Sequence, residues 1–146
     1  MIDDGKKYKG LTEILDRYGV VVGYLFGSAA KDTVTPLSDI DIAVFFDKTV
    51  APPQHIPREL AIAREAGTLF GINQIDVVNL LTVANPLLKH NIVAEGKVLM
   101  VKDPAVRRRL EKRIMDEYED TRHLRNVARR ILERQIKEKT FGHVSR

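Results

Sequence analysis

Leu25-Phe26-Gly27-Ser28, a spacer of nine residues, then Ser38-Asp39-Ile40-Asp41-Ile42-Ala43-Val44 is the stretch that decides how this chain folds. The run leading into it, Val20-Val21-Val22-Gly23-Tyr24-Leu25-Phe26, is short, apolar and β-branched, the composition of a buried strand. Gly27-Ser28 breaks that strand, and Pro36 marks a turn in the polar spacer. A second strand is expected from Ile40 to Phe46. Side chains alternate along a strand, so Asp39 and Asp41 share one face while Ile40 and Ile42 point into a core. Two carboxylates ~6.6 Å apart on one face repel each other unless a cation lies between them. Hard oxygen ligands of this kind suit Mg²⁺, which keeps several waters and bridges to substrate phosphates.

Glycine at position 27 permits close approach of backbone to a ligand. Backbone N–H groups at such a turn, with the Ser28 hydroxyl, can receive phosphate oxygens. Ile75-Asp76-Val77-Val78-Asn79-Leu80 reads as a third strand, and Asp76 lies among apolar neighbours that leave its charge needing a partner. Each part alone has a plainer reading. A Gly-Ser after a strand is a turn, an Asp-x-Asp a solvated strand edge, a single strand aspartate a hydrogen-bond acceptor. Together, in this order on three strands, they make a phosphate cradle and a metal-binding set.

Outward from this centre, Leu11, Ile14, Leu15 and Tyr18 recur at helical spacing, with Gly19 as the stop. After Pro52-Pro53 and Pro57 a helix is expected from about Arg58 to Phe70, closed by Gly71. Another is expected from about Asn85 to Ala94, stopped by Gly96, with a short last strand over Lys97 to Val101. Asp103 and Pro104 suit the start of a final helix. No Gly or Pro interrupts Ala105 to Lys139, where Val106, Leu110, Ile114, Tyr118, Leu124, Ala128 and Ile131 repeat every three to four residues. One helix over that span is ~52 Å long; a break near Asp116 to Thr121 is equally compatible with the pattern. Tyr118 is expected in the core. His55, His90, His123 and His143 show no metal-ligand spacing and are expected at the surface or in packing.

The 146 residues, 44% hydrophobic and 30% charged, fit an ordinary globular chain. Cysteine is absent, which excludes disulfides and thiolate zinc sites. Met1 to Lys7 lacks the apolar core of a signal peptide, and no run reaches the ~20 apolar residues of a membrane span, so a cytoplasmic protein is expected. Charge is uneven: from Lys102 onward 14 Lys/Arg face 8 Asp/Glu, while residues 1–101 hold 10 against 12. The basic end either meets something acidic or is a solvated helix surface. Arg129, Arg130 and Arg134 lie beyond the stripe from Val106 to Tyr118 and are expected to steer an acidic partner. No aromatic residues interleave with the arginines for base stacking, so direct nucleic-acid binding is the lesser expectation.

Gly-Ser, a spacer, Ser-Asp-x-Asp and a later strand aspartate resemble the signature of the DNA polymerase β-like nucleotidyltransferase superfamily. The small size, with Val83-Ala84-Asn85-Pro86-Leu87 and Glu95-Gly96-Lys97-Val98-Leu99, is similar to its minimal nucleotidyltransferase branch, the antitoxins of HEPN/MNT pairs. The resemblance covers most of residues 11–101. It implies an α/β (α+β) fold, a small mixed sheet of the polymerase-β-like palm with flanking helices and a long C-terminal helix. The implied division is a nucleotidyltransferase domain at 1–103 and a helical extension packed on it at 104–146. By resemblance Asp39 and Asp41 bind Mg²⁺, two ions in all, and Asp76 completes the metal site and activates the attacking hydroxyl. Gly27 and Ser28 hold the triphosphate, with Lys31 and Ser38 in the same phosphate-binding set. The branch often carries Arg shortly after Gly-Ser; here Ala30-Lys31 offers a point charge without the bidentate fork.

The implied reaction moves AMP from ATP to a hydroxyl, and the implied partner is a HEPN-type toxin modified on tyrosine. The toxin's own Arg-x(4–6)-His signature is absent here. Two other readings stand beside it: an antitoxin acting by contact alone, and transfer to a small molecule such as an aminoglycoside. Enzymes of the last kind usually carry a further helical domain, and only about 45 residues remain after Val101.

Overall fold

The computed structural model describes residues 4–27 and 40–142. Helix α1 (Asp4–Arg17) leads into strand β1 (Val20–Phe26), and β2 (Ile40–Phe46) returns beside it. A 3₁₀ turn at Pro52–Gln54 opens α2 (His55–Phe70), followed by β3 (Ile75–Asn79), α3 (Pro86–Glu95), β4 (Lys97–Val101) and α4 (Pro104–Gly142). The strands form one mixed sheet in the order β3-β2-β1-β4. β1 is antiparallel to both neighbours, and β2 runs parallel to β3. This is the mixed α/β architecture expected from the sequence.

The two central strands are apolar on both faces because both faces are covered. On one side Ile40, Ile42, Val44 and Phe46 pack with Leu11, Leu15, Ile62 and Ala66 of α1 and α2. On the other, Val22, Tyr24 and Ala43 pack with Ile92 of α3 and with Leu110 and Ile114 of α4. A register shift in β1 between Val20 and Val22 brings both Val21 and Val22 to this second side.

Local chemistry fixes the ends of the helices that matter for the site. The Asn85 side chain accepts from the N–H groups of Leu87 (3.1 Å) and Leu88 (3.2 Å), with Pro86 behind it at the first helical position. Asp103 Oδ1 accepts from Ala105 N at 2.9 Å and caps α4 in the same way. α4 runs 39 residues without a break, about 58 Å at 1.5 Å per residue. The interruption that the sequence left open near Asp116 to Thr121 is absent. Lys112 pairs with Asp116, and Arg122 with Glu119, along the helix surface there.

α3 is fastened to α4 as well as to the sheet. Lys89, 8% exposed, donates through Nζ to Glu117 Oε2 at 2.7 Å. His90 stacks on the Tyr118 ring with centroids 3.8 Å apart, and the Arg125 guanidinium covers that ring at 4.2 Å. Tyr118 is therefore half-buried between a histidine and an arginine instead of lying in the core proper.

Candidate active site

Because β1 and β2 are antiparallel, the end of β1 and the start of β2 meet at one edge of the sheet. β3 runs parallel to β2, so it also starts there. Phe26 is the register partner of Asp41, and Asp41 is the register partner of Asp76. Neighbouring strands stand ≈ 4.7–4.9 Å apart, so Asp41 and Asp76 lie side by side. Both fall in the alternation of Ala43 and Val78, the face that carries α3 and α4. Asp41 is half-buried and Asp76 exposed. Asp76 is exposed despite its apolar neighbours because β3 is an edge strand, and Val77 points to the opposite face, into the α1/α2 core.

Gly27 follows Phe26 with φ +72°, in the left-handed region that favours glycine. A Cβ at this position would stand 2.5 Å from Asp41 Oδ2. Any larger residue would strain the backbone and press on the carboxylate. Glycine here leaves the Asp41 carboxylate its room. Ser28, Lys31, Ser38 and Asp39 lie outside the described residues, so of the seven residues named from sequence the structure brings together Gly27, Asp41 and Asp76.

Two adjacent carboxylates on one face of the sheet fit Mg²⁺, which is held through one or two carboxylates together with substrate phosphates. Among the described residues no cluster of three His, Cys, Asp or Glu side chains could hold a metal. The fit thus rests on Asp41 and Asp76 as a pair of hard oxygen donors.

A cleft of about 190 Å³ opens beside this pair, lined by Phe26 and Gly27 and by Leu88, Asn91, Ile92, Glu95 and Gly96. That is below the roughly 300–1,000 Å³ of a small-molecule pocket. Leu88, Asn91, Ile92 and Glu95 recur every three to four residues and so share one face of α3. The sequence pattern held this face, but nothing in it said that the face meets Gly27. Gly96 makes the meeting possible: a Cβ there would collide with the Ile92 carbonyl and crowd that of Leu25 at 3.2 Å. α3 is pinned against the end of β1 by that close approach and by its bonds to α4.

Residues 9–105 match the family profile described as Polymerase beta, Nucleotidyltransferase. The chain belongs to that family. This nucleotidyltransferase domain matches no curated protein. Among solved structures, a chain from a toxin–antitoxin crystal structure with AMP-PNP is 22% identical, with a TM-score of 0.68 over 88% of this chain and 98% of the other. A chain from a complex of a tri-AMPylated Shewanella oneidensis HEPN toxin with an MNT antitoxin is 20% identical, with a TM-score of 0.64 over 90% and 98%. A chain from an MntA-HepT toxin–antitoxin crystal structure is 20% identical, with a TM-score of 0.63 over the same shares. At this identity the likeness is one of fold, and it covers more of the chain than the matched domain does. No helix among the described residues is long and apolar enough to cross a membrane.

Proposed function

We propose that this nucleotidyltransferase is a minimal, MntA-type antitoxin that moves AMP from ATP to a tyrosine hydroxyl of a HEPN-type toxin in the cytoplasm. The observation that carries the reading is the pairing of Asp41 with Asp76 across β2 and β3, beside a glycine that leaves the Asp41 carboxylate free of a Cβ. The choice of acceptor draws on the likeness to the solved toxin–antitoxin chains.

In the transfer, the acceptor oxygen forms a bond to the α-phosphorus as the bond from that phosphorus to the β-phosphate oxygen breaks. Pyrophosphate leaves, and the acceptor proton passes to the Asp76 carboxylate. The Gly27-Ser28 backbone, the Ser28 and Ser38 hydroxyls and the Lys31 ammonium hold the triphosphate. Asp39, Asp41 and Asp76 are the residues that would hold Mg²⁺, two ions in all, and bound metal supplies the charge that stabilises the attacking and leaving oxygens. An exposed Asp76 suits a proton acceptor that must reach a hydroxyl on another protein.

The test is to incubate the full chain with α-labelled ATP, Mg²⁺ and a purified HEPN-type protein encoded beside it. Label on a toxin tyrosine, lost on chelation, is the expected result. Neutralisation of the toxin without label would establish contact alone as the mechanism, and label on a small-molecule hydroxyl in place of the protein would overturn the acceptor.

A further inference from the structure

The apolar stripe of α4 does not stop where the body of the protein stops. Leu110 and Ile114 are 3% and 2% exposed in the core against the sheet. Leu124 is ten residues past Ile114, about 15 Å farther along the axis. Leu124, Ile131 and Leu132 lie 66%, 51% and 57% exposed. Helical spacing puts them, with Ala128, on the continuation of the buried stripe. One face of one helix is thus core for its first turns and solvent-facing for its last. A soluble chain gains nothing by keeping three large aliphatic side chains in a row in water, and exposed apolar rows mark interaction sites.

Charge selects among the possible occupants. Residues 121–139 hold seven Lys/Arg against two Asp/Glu, a net of +5. Arg125 and Arg129 flank the stripe on one side and Arg134 on the other. Among the described residues no carboxylate pairs with Arg129, Arg130 or Arg134. A second copy of the chain would bring +5 against +5. A nucleic acid would leave the aliphatic row in water and would find no Phe, Tyr or Trp between positions 121 and 139 for stacking. A membrane surface prefers a wider apolar face with aromatic anchors, and here Gln135 interrupts the row.

We infer that residues 121–139 of α4 are a docking arm for an acidic amphipathic helix of another protein, which packs on Leu124, Ala128, Ile131 and Leu132 and pairs with Arg129 and Arg134. Burial of the stripe gives the affinity, and the arginines set partner choice and approach. The inference stands apart from the transfer chemistry, since it requires neither ATP nor the aspartates.

To test it, a labelled synthetic helix with leucine along one face and glutamate on both flanks is titrated into the full chain by fluorescence anisotropy, beside its lysine-flanked counterpart. The glutamate peptide is expected to bind, more weakly at high salt, and the lysine peptide not to bind. Arg129→Glu with Arg134→Glu should lower affinity by about tenfold or more, equivalent to ~1.4 kcal/mol. Leu124→Ser with Ile131→Ser and Leu132→Ser should do the same at unchanged helix content by circular dichroism. Equal binding of both peptides, or of neither, overturns the inference. So does sedimentation showing a dimer that the serine variant loses, or tighter binding to anionic vesicles or duplex DNA than to the glutamate peptide.

Discussion

The two ends of the sheet treat their polar side chains in opposite ways. At the end where β2 and β3 finish, Asn79 is 3% and His55 6% exposed, and their polar atoms are paired. His55 Nε2 lies 3.1 Å from the Val50 carbonyl, Asn79 Nδ2 lies 3.1 Å from His55 Nδ1, and Asn79 Oδ1 accepts from Leu81 N at 2.9 Å. Each bond fixes the next: a histidine that donates from Nε2 to a carbonyl is left with Nδ1 to accept from the amide. Burial holds the neighbouring Glu59 carboxyl above the usual range, with His55 and Asn79 pulling the other way. At the end where β2 and β3 begin, two carboxylates stand side by side and one of them faces solvent. Like charges facing each other across strands cost stability. The first arrangement serves the fold. The second sets like charges side by side at an open end of the sheet, the arrangement on which the proposed transfer rests.

The largest expected effect breaks the second arrangement alone. Asp41→Asn should lower nucleotide transfer by roughly 10²–10³-fold, the scale of losing one preorganised electrostatic group. The same change keeps the shape of the side chain at a half-buried position outside the packed core, so the thermal midpoint should stay nearly level. Label transfer and a melting curve on one preparation give both numbers. Transfer at the wild-type rate would move the chemistry away from β2.

At the opposite end the signs reverse. His55→Ala leaves the Val50 carbonyl and the Asn79 amide buried without their partner and removes the ring that lies against Phe46, centroids 4.9 Å apart. Stability should fall by about 1–3 kcal/mol in urea titration, while the rate of transfer by the folded fraction holds. A loss of rate as large as that of Asp41→Asn would erase the distinction between the two ends.

This contrast was only half legible in the sequence, and the residues show why. Strands over Val20–Phe26, Ile40–Phe46 and Lys97–Val101 follow from composition alone, because buried strands in a small sheet are written as apolar runs. The partnership of Asp41 with Asp76 could be expected from order along the chain, but the exposure of Asp76 depends on β3 being an edge strand, and strand order is not a local property. α2 starts at His55 and not at about Arg58 because Pro57 falls in the first turn, where its missing N–H costs nothing. The periodicity of α4 could not choose between one helix and two. Ion pairs along its surface and the Lys89–Glu117 bridge carry it through the polar stretch. Asn91 and Glu95 carry no signal in the sequence, because nothing in a helix pattern says which loop its exposed face will meet. His55 was expected only at the surface or in packing, since a histidine that completes a hydrogen-bond chain carries no motif.

The smallest effect tests a group that lies between the two ends. Tyr24 sits mid-strand in β1, fully buried, and donates its hydroxyl to Glu111 Oε1 at 2.7 Å; Arg107 Nε donates to the same oxygen at 3.0 Å. If the pairing at the closed end is what structural polar groups look like, Tyr24 should behave as one of them. Burial, and then the bond to Glu111, push the phenol well above its usual range. Tyr24→Phe should cost about 1 kcal/mol near neutral pH, below the ~1.5–3 kcal/mol of a bond to a charged group because Arg107 still partners Glu111. The sign with pH follows from the raised value. The unfolded chain releases the phenolic proton near pH ~10, while the fold retains it. The phenol's contribution is therefore complete below about pH 10 and declines as pH rises beyond it, and phenylalanine has no such proton to release. The stability gap between wild type and Tyr24→Phe should narrow as pH rises above about 10. Other lysines and tyrosines titrate in both proteins and cancel in the difference. A gap that stays constant through that range would mean that the phenol titrates alike in the folded and unfolded chains, and that neither its burial nor its bond to Glu111 holds the proton.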